Sequence, residues 1–291
     1  MQTGFSIDPD QGLSAADELR LVWLAADLGY ESAWTPSHAD GVSFDRCLKW
    51  HTASGLPVGI SAAPASGQPA EFYAHHARRV WEVTGGRFTL VVGSGQLPQA
   101  AQSMRAYLPE LRRRLPADLP LYLAALGPLM LRVGGELADG VALNWCTAEQ
   151  VAWSRRRLAS AARAAGRSRP RVIEYIRTAV DRDAQLARRT VGVASLRYLG
   201  SPAYRGHFER MGFGAGLRQI EGSVDAASPN ALSAIGAGGV PGQTRRQFEH
   251  LAKGLDLPIV RVLVTRRGDF ESARRALEEC RPMGRLTTPA R

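Results

Sequence analysis

The stretch LPLYLAALGPLMLRVGGELADGVALNW, Leu119 to Trp145, holds two short apolar runs on either side of a Gly127-Pro128 break. The first run, Pro120–Leu126, reads as a strand buried on both faces, and it opens at a proline. Proline has no N–H to give a sheet, so the first residue of a strand is where it is tolerated. Gly127-Pro128 is a tight turn into a helix, because a proline at a helix start lacks only an N–H that would have had no intrahelical acceptor. The helix Leu129–Ala138 ends at "ADG", and Gly140–Trp145 is the next strand. The free amides at that helix start form an anion site, and Gly127 lets a phosphate approach the backbone closely.

The same alternation extends in both directions. Candidate strands are Phe5–Ile7, Ser32–Thr35, Pro57–Ala63, Phe88–Gly93, Pro120–Leu126, Gly140–Trp145, Arg171–Val180 and Pro258–Val264. Between them lie amphipathic patterns. In Ser14–Leu28 the residues Leu19, Val22, Trp23 and Ala26 recur at i, i+3, i+4 and i+7, and Ser14 with Asp17 forms an N-terminal capping signal. Glu71–Val83, Gln99–Leu115, Leu129–Ala138, Glu149–Ala165, Gln243–Leu255 and Phe270–Cys280 have similar faces. Parallel strands covered by helices follow, and eight such units in a 291-residue chain predict a (β/α)₈ barrel. A doubly wound open sheet is the alternative, but no early G-x-G-x-x-G supports it. The chain reads as one domain over residues 1–291. Residues 181–257 form an inserted helical and loop segment at the barrel mouth, too long for a single crossover.

Charge and cysteine usage narrow the class. Residues 1–150 carry 11 Lys+Arg against 15 Asp+Glu, and residues 151–291 carry 26 against 12, for a net charge of +10. A basic second half suits a polyanionic small ligand, and no nucleic-acid reader motif accompanies it. Three separated cysteines give neither a disulfide framework nor a zinc ribbon, and no metal site is expected. No apolar run reaches transmembrane length and no export signal opens the chain, so a cytoplasmic protein without membrane contact is expected.

The block "LPLYLAALGPLMLRVGGELADGVALNWCTAEQV", with "LAADLGYESAWTPSHAD", "GGRFTLVVGSGQ" and "GVPGQTRRQFEHLAKGLDLPIVRVLV", resembles the luciferase-like flavin and deazaflavin oxidoreductases, most closely their coenzyme F420-dependent branch. The resemblance implies an isoalloxazine or deazaflavin ring held at the C-terminal ends of the strands. It implies that His38 stands beside the ring as proton donor or electrostatic aid, a role that suits a side chain titrating near neutrality. It implies a Gly-rich turn at Gly93, Ser94 and Gly95 beneath the ring, followed by Gln96 where relatives often carry a glutamate. An amide hydrogen-bonds but cannot give a proton at neutral pH. Ser37 likewise replaces an acidic neighbour of the histidine. A non-prolyl cis peptide is implied near Ser61, and Gly127, Pro128 and Leu129 are implied to bind the cofactor phosphate through their backbone N–H groups. Asn144 and the Thr147 hydroxyl complete the implied cofactor set.

The function expected is F420-dependent hydride transfer between the deazaflavin C5 and a small imine, alcohol, ketone or activated alkene. An FMN-dependent monooxygenase on the same barrel is the first alternative, and a non-catalytic flavin-binding protein the second. A homodimer is expected, since relatives often dimerise.

Overall fold

The computed structural model describes residues 1–282, apart from the side chains of residues 232 and 233. The chain runs β1 (Gly4–Ile7), a 3-10 turn, α1 (Ala15–Asp27), β2 (Ser32–Thr35), α2 (Val42–Ser54), β3 (Val58–Pro64), α3 (Ala70–Val83), β4 (Phe88–Gly93) and α4 (Ala100–Arg114). It continues through β5 (Leu121–Ala124), α5 (Pro128–Leu137), β6 (Gly140–Asn144), α6 (Ala148–Ala164) and β7 (Arg171–Val180). The long interval then supplies α7 (Ala184–Leu199), α8 (Pro202–Arg210), α9 (Gly214–Gly222), α10 (Pro229–Ser233) and β8 (Ala237–Gly239). The last elements are α11 (Gln243–Leu251), β9 (Leu257–Val262) and α12 (Phe270–Glu279).

Eight strands close into a parallel barrel. Each of β1 to β7 pairs with its neighbour in sequence except that β9 closes the ring, lying between β1 and β7. The fold is therefore the (β/α)₈ barrel that the alternation predicts. Its eighth barrel strand is β9, and the interval before it holds a further short strand. Thr178 of β7 pairs with Val262 of β9 on one side and Ala237 of β8 on the other, so β8 takes up the edge that β6 leaves at Asn144. The sheet is thereby extended only at the mouth.

The lumen is filled by residues of alternate strand positions, among them Trp34, Val91, Tyr122, Ile173, Tyr175, Leu257 and Ile259. Glycines make room for the largest of them: a Cβ on Gly59 would stand 2.4 Å from the Trp34 ring, and one on Gly140 2.5 Å from the Tyr122 ring. On β7 the inward series Ile173, Tyr175, Arg177 turns from apolar to charged as it reaches the mouth. Leu257, Ile259 and Arg261 on β9 do the same in register with it.

Two parts of the sequence reading change. Residues 42–54, absent from the candidate helices, form α2, whose Phe44, Cys47 and Trp50 are buried. Its N-cap is Gly41 with no side-chain capping bond, so the usual start signal is missing, although Gly55 at φ 69 marks its end. The Gly/Ala/Ser-rich part of the insert is ordered as α9, α10 and β8, and its Phe213, Leu217 and Ile220 share a cluster with Trp145 and Phe208. Among the described residues no helix is long and apolar enough to cross a membrane.

The stretch from Leu119 to Trp145 is held by close approach of α5 to its neighbours. A Cβ on Gly134 would meet Val141 Cγ2 at 2.6 Å, and one on Gly135 would meet Ala161 Cβ at 2.6 Å and Leu158 O at 2.9 Å. Backbone and a helix-borne methyl cannot swing aside as a flexible chain end can. Gly135→Val is therefore expected to destabilise the protein by about 2–3 kcal/mol, read as a lower midpoint of urea unfolding with unchanged slope.

Candidate active site

A cavity of about 600 Å³ opens over the C-terminal ends of the barrel strands, where barrels of this kind carry their chemistry. One wall is built from small residues: Ser61 and Ala62 on β3, Gly93 to Gly95 at the end of β4, Ala124 and Ala125 at the end of β5 and Ala142 on β6. The Ser61–Ala62 peptide is cis, where the resemblance implies such a bond. Gly95 sits at φ +62, and a Cβ there would fall 2.2 Å from Ser66 Oγ. No other residue fits this turn without moving its neighbour.

The start of α5 forms one edge of the cavity, with Gly127, Pro128 and Leu129 in its lining. Gly127 is the N-cap and caps with no side chain, and Pro128 is the first helical residue. Pro128 has no N–H, which corrects the expectation that all three residues donate. The amides available to an anion are those of Gly127, Leu129 and Met130. Arg210 of α8 stands over this terminus, donating from Nη2 to Leu126 O at 3.3 Å, with the same nitrogen 3.5 Å from where a Gly127 Cβ would be.

Asn144 is fixed from both sides. Its Nδ2 donates to Tyr204 OH at 2.5 Å and its Oδ1 accepts from Arg177 Nη1. Arg177 also donates to Tyr175 O at 3.2 Å and to Tyr198 OH at 2.7 Å, and its guanidinium lies 4.2 Å from the centre of the Trp145 ring. Trp145 is wholly buried at φ 55, a left-handed conformation that a bulky residue adopts only when its surroundings enforce it. Beneath it, His207 Nε2 donates to Asn144 O at 3.1 Å and Trp145 O at 3.2 Å, which assigns the proton to that nitrogen. Burial drops the His207 pKa to about 4, so the ring is neutral.

The wall opposite the small residues is polar. Tyr175, Tyr198, Tyr204 and Arg261 line it. Arg261 gives Nε and Nη2 to Asp8, the shortest contact being 2.5 Å, and its guanidinium lies 5.1 Å from the Tyr175 ring centre. Tyr175 OH is buried with no hydrogen-bond partner among the described residues. Burial pushes the Tyr198 hydroxyl pKa up, but the positive charge of Arg177 and then of Arg261 outweighs it, and the net shift is downward.

Of the residues chosen from sequence, Ser61, Gly93, Ser94, Gly95, Gly127, Pro128, Leu129 and Asn144 share this one cavity. Three do not. His38 is exposed and outside the lining, although Ser37 beside it is within. Gln96 is exposed too, with its backbone N–H donated to Ser66 Oγ at 3.1 Å. Thr147 is the N-cap of α6, its hydroxyl accepting from Gln150 N at 3.2 Å, and it lines a smaller neighbouring cavity. The hydroxyl expected on the phosphate is thus spent on its own helix.

Sequence reasoning passed over Arg177, Arg261, Asp8, Tyr198, Tyr204 and Arg210. A signal existed for the first two: "RVIEYIRTAV" and "PIVRVLV" each carry a charge inside a strand otherwise fit for burial, and a buried charge needs a reason. The insert's tyrosines have no comparable mark.

The barrel thus carries at its strand ends a partly apolar cavity bounded by glycines, a helix N-terminus and a polar wall. Residues 101–233 match the family model of luciferase-like monooxygenases. The chain is similar over 96% of its length, and over 98% of the other chain, to coenzyme F420-dependent tetrahydromethanopterin reductase from Methanopyrus kandleri, with a TM-score of 0.73 at 18% identity. An F420-dependent secondary alcohol dehydrogenase in complex with an F420-acetone adduct is similar at TM-score 0.70 and 12% identity, covering 97% and 100% of the two chains. The oxygenating constituent of 3,6-diketocamphane monooxygenase from Pseudomonas putida, in complex with FMN, gives 0.65 and 13%, covering 97% and 99%. The barrel fold is shared with these proteins over 96% to 97% of the chain, and segment 101–233, which contains the opening stretch, matches the luciferase-like family model.

One buried acid reports on the site's electrostatics. Glu174 Oε1 accepts from Cys146 N at 2.7 Å, and Oε2 has no partner among the described residues. Burial raises its pKa to about 8 from 4.5. Below pH 4.5 the group is protonated folded or unfolded. Between pH 4.5 and about 8 only the unfolded chain ionises it, so this group costs stability as pH rises. Glu174→Gln keeps the acceptor for Cys146 and removes the titration. Its stability relative to wild type is expected to rise by roughly 2–4 kcal/mol across that window, measured by denaturant unfolding at pH 5 and pH 8.

Proposed function

We propose that the chain is an oxidoreductase that binds coenzyme F420 in the 600 Å³ cavity and acts on a small imine, alcohol, ketone or activated alkene. The observation that carries the reading is the pairing of a wall of small residues, ending at the α5 N-terminus, with a facing wall of phenols and guanidinium groups. The small wall leaves room for a flat ring, and Leu129, Met130 and Leu143 supply apolar contact. The amides of Gly127, Leu129 and Met130, with Arg210, suit a phosphate. The two F420-dependent proteins named above support F420 over FMN, and the diketocamphane enzyme keeps FMN as the alternative. F420, when bound, supplies a ring carbon that gives or takes a hydride.

The chain's own work is to orient and to balance charge. A carbonyl or imine that gains a hydride needs a proton on its oxygen or nitrogen. Tyr198 is placed to supply it: its oxygen accepts from Arg177 at 2.7 Å, which leaves the hydroxyl hydrogen free for the cavity. The nearby positive charge eases release of that proton. His38, exposed and off the lining, is the weaker choice. Asn144, clamped by Arg177 and Tyr204, holds the mouth of β6 in one geometry.

Titrating the protein with F420 and with FMN, followed by cofactor fluorescence, tests the reading. F420 is expected to bind more tightly. Binding of FMN alone would move the assignment to a flavin monooxygenase, and binding of neither would end it. Tyr198→Phe is expected to lower kcat by about tenfold to hundredfold with cofactor affinity unchanged. Arg210→Ala is expected to weaken cofactor binding on the order of tenfold, read in the same titration.

A further inference from the structure

Behind the polar wall lies a third cavity, of about 220 Å³, between the ends of β1 and β9 and the helix α7. Tyr198 and Arg261 line both cavities and so form the partition between them. Arg177, 1% exposed, is at the inner end of the small cavity, and Arg197 and Arg267 stand at its exposed rim.

The charges at the inner end do not balance. Arg177 and Arg261 are register partners on adjacent parallel strands, so two guanidinium groups start from the same level of the barrel. Like charges facing one another across strands repel, and burial strengthens the repulsion. One carboxylate, Asp8, answers them, and Arg261 holds it through three contacts of 2.5 to 3.1 Å. The hydrogen-bond partners of Arg177 are all neutral: Asn144, the Tyr175 carbonyl and Tyr198. Glu174 does not make up the difference, since burial keeps it protonated at neutral pH. At the rim, Arg197 is paired with Asp10 at 2.7 Å, and Arg267 reaches only the Asp10 carbonyl, at 3.0 Å. The inner end therefore lacks one negative charge, and the rim adds to the attraction rather than offsetting it.

We propose that this side pocket binds the carboxylate of a small organic acid, at a site separate from the cofactor's. One unbalanced positive charge calls for a monoanion, and a carboxylate is the organic monoanion with which a guanidinium forms charge-assisted hydrogen bonds. Val193, Ala194, Leu263 and Val264 in the lining give the acid's carbon chain an apolar surface. The inference stands on the side pocket alone and does not depend on which ring cofactor fills the main cavity. Because Tyr198 belongs to both cavities, an acid bound here lies against the group proposed to carry the substrate proton.

The test uses butyrate and its neutral isostere butyramide as probes, by saturation-transfer NMR and thermal shift. Both are run on the cofactor-free protein and on the protein loaded with whichever cofactor it binds. Butyrate is expected to bind on the order of tenfold more tightly than butyramide or better, with or without cofactor. Arg177→Gln, which keeps an amide toward Asn144 and Tyr198, is expected to abolish that preference. Arg197→Ala, at an exposed position where folding is not at stake, is expected to weaken butyrate about threefold and leave butyramide unchanged. Equal binding of the two probes, no binding of either, or displacement of butyrate by bound cofactor would overturn the proposal. So would a preference that survives in folded Arg177→Gln, and if that variant does not fold, Arg197→Ala and the two probes still decide. A protein that binds butyrate selectively but neither F420 nor FMN would fail the cofactor reading and keep this one.

Discussion

A guanidinium group shut away from water, that of Arg177, sets the terms for the mouth of this barrel. Removing such an ion from water is costly, and hydrogen bonds in fixed geometry offset part of the cost. Its acceptors come from three places: Asn144 at the end of β6, the backbone of β7, and Tyr198 at the end of α7. The need to satisfy one side chain thereby ties the inserted helices to the barrel strands. Trp145, turned into a left-handed conformation under the same guanidinium, is part of that bargain.

From this clamp follows the unequal character of the two sides of the cavity. The β3 to β6 side carries little beyond alanine, glycine and serine, because backbone and methyl groups must recede for anything flat to enter. The β7 and β9 side carries phenols and guanidinium groups held by Asp8 and by one another. A surface that excludes nothing but bulk faces one that fixes charge and protons. That division suits a protein that leaves hard chemistry to a bound ring and keeps orientation and proton supply for itself.

Much of the scaffold was legible from residue pattern. Prolines at the start of strands, apolar runs of strand length and amphipathic helices between them locate all eight barrel strands, because burial on both faces writes itself into composition. Helix α2 escaped, since its start is a glycine without a capping side chain and its buried residues are spaced more sparsely than a strong stripe. Ordered helices α9 and α10 escaped for a related reason: their buried Leu217, Ile220 and Ala231 are few among glycine, alanine and serine, and only their packing in one cluster with Trp145 and Phe208 reveals them. In the site, glycines of the small wall and the start of α5 were readable as local turn chemistry. His38 and Gln96 were carried by likeness of sequence, and their side chains lie in the open, off the cavity.

By itself, then, the sequence determined the period and order of the elements, the Gly127-Pro128 helix start and the small residues beneath the cavity, all of which depend on neighbours close along the chain. Tertiary structure alone decided that β8 extends the sheet beside β7 at the mouth, that Arg177 and Arg261 stand level with each other, and that Tyr204 and Tyr198 from a distant insert meet Asn144 and Arg177. The physical reason is range. Propensity and burial act residue by residue, whereas the balance of buried charge is a property of groups far apart in sequence, and it exists only once the barrel has closed.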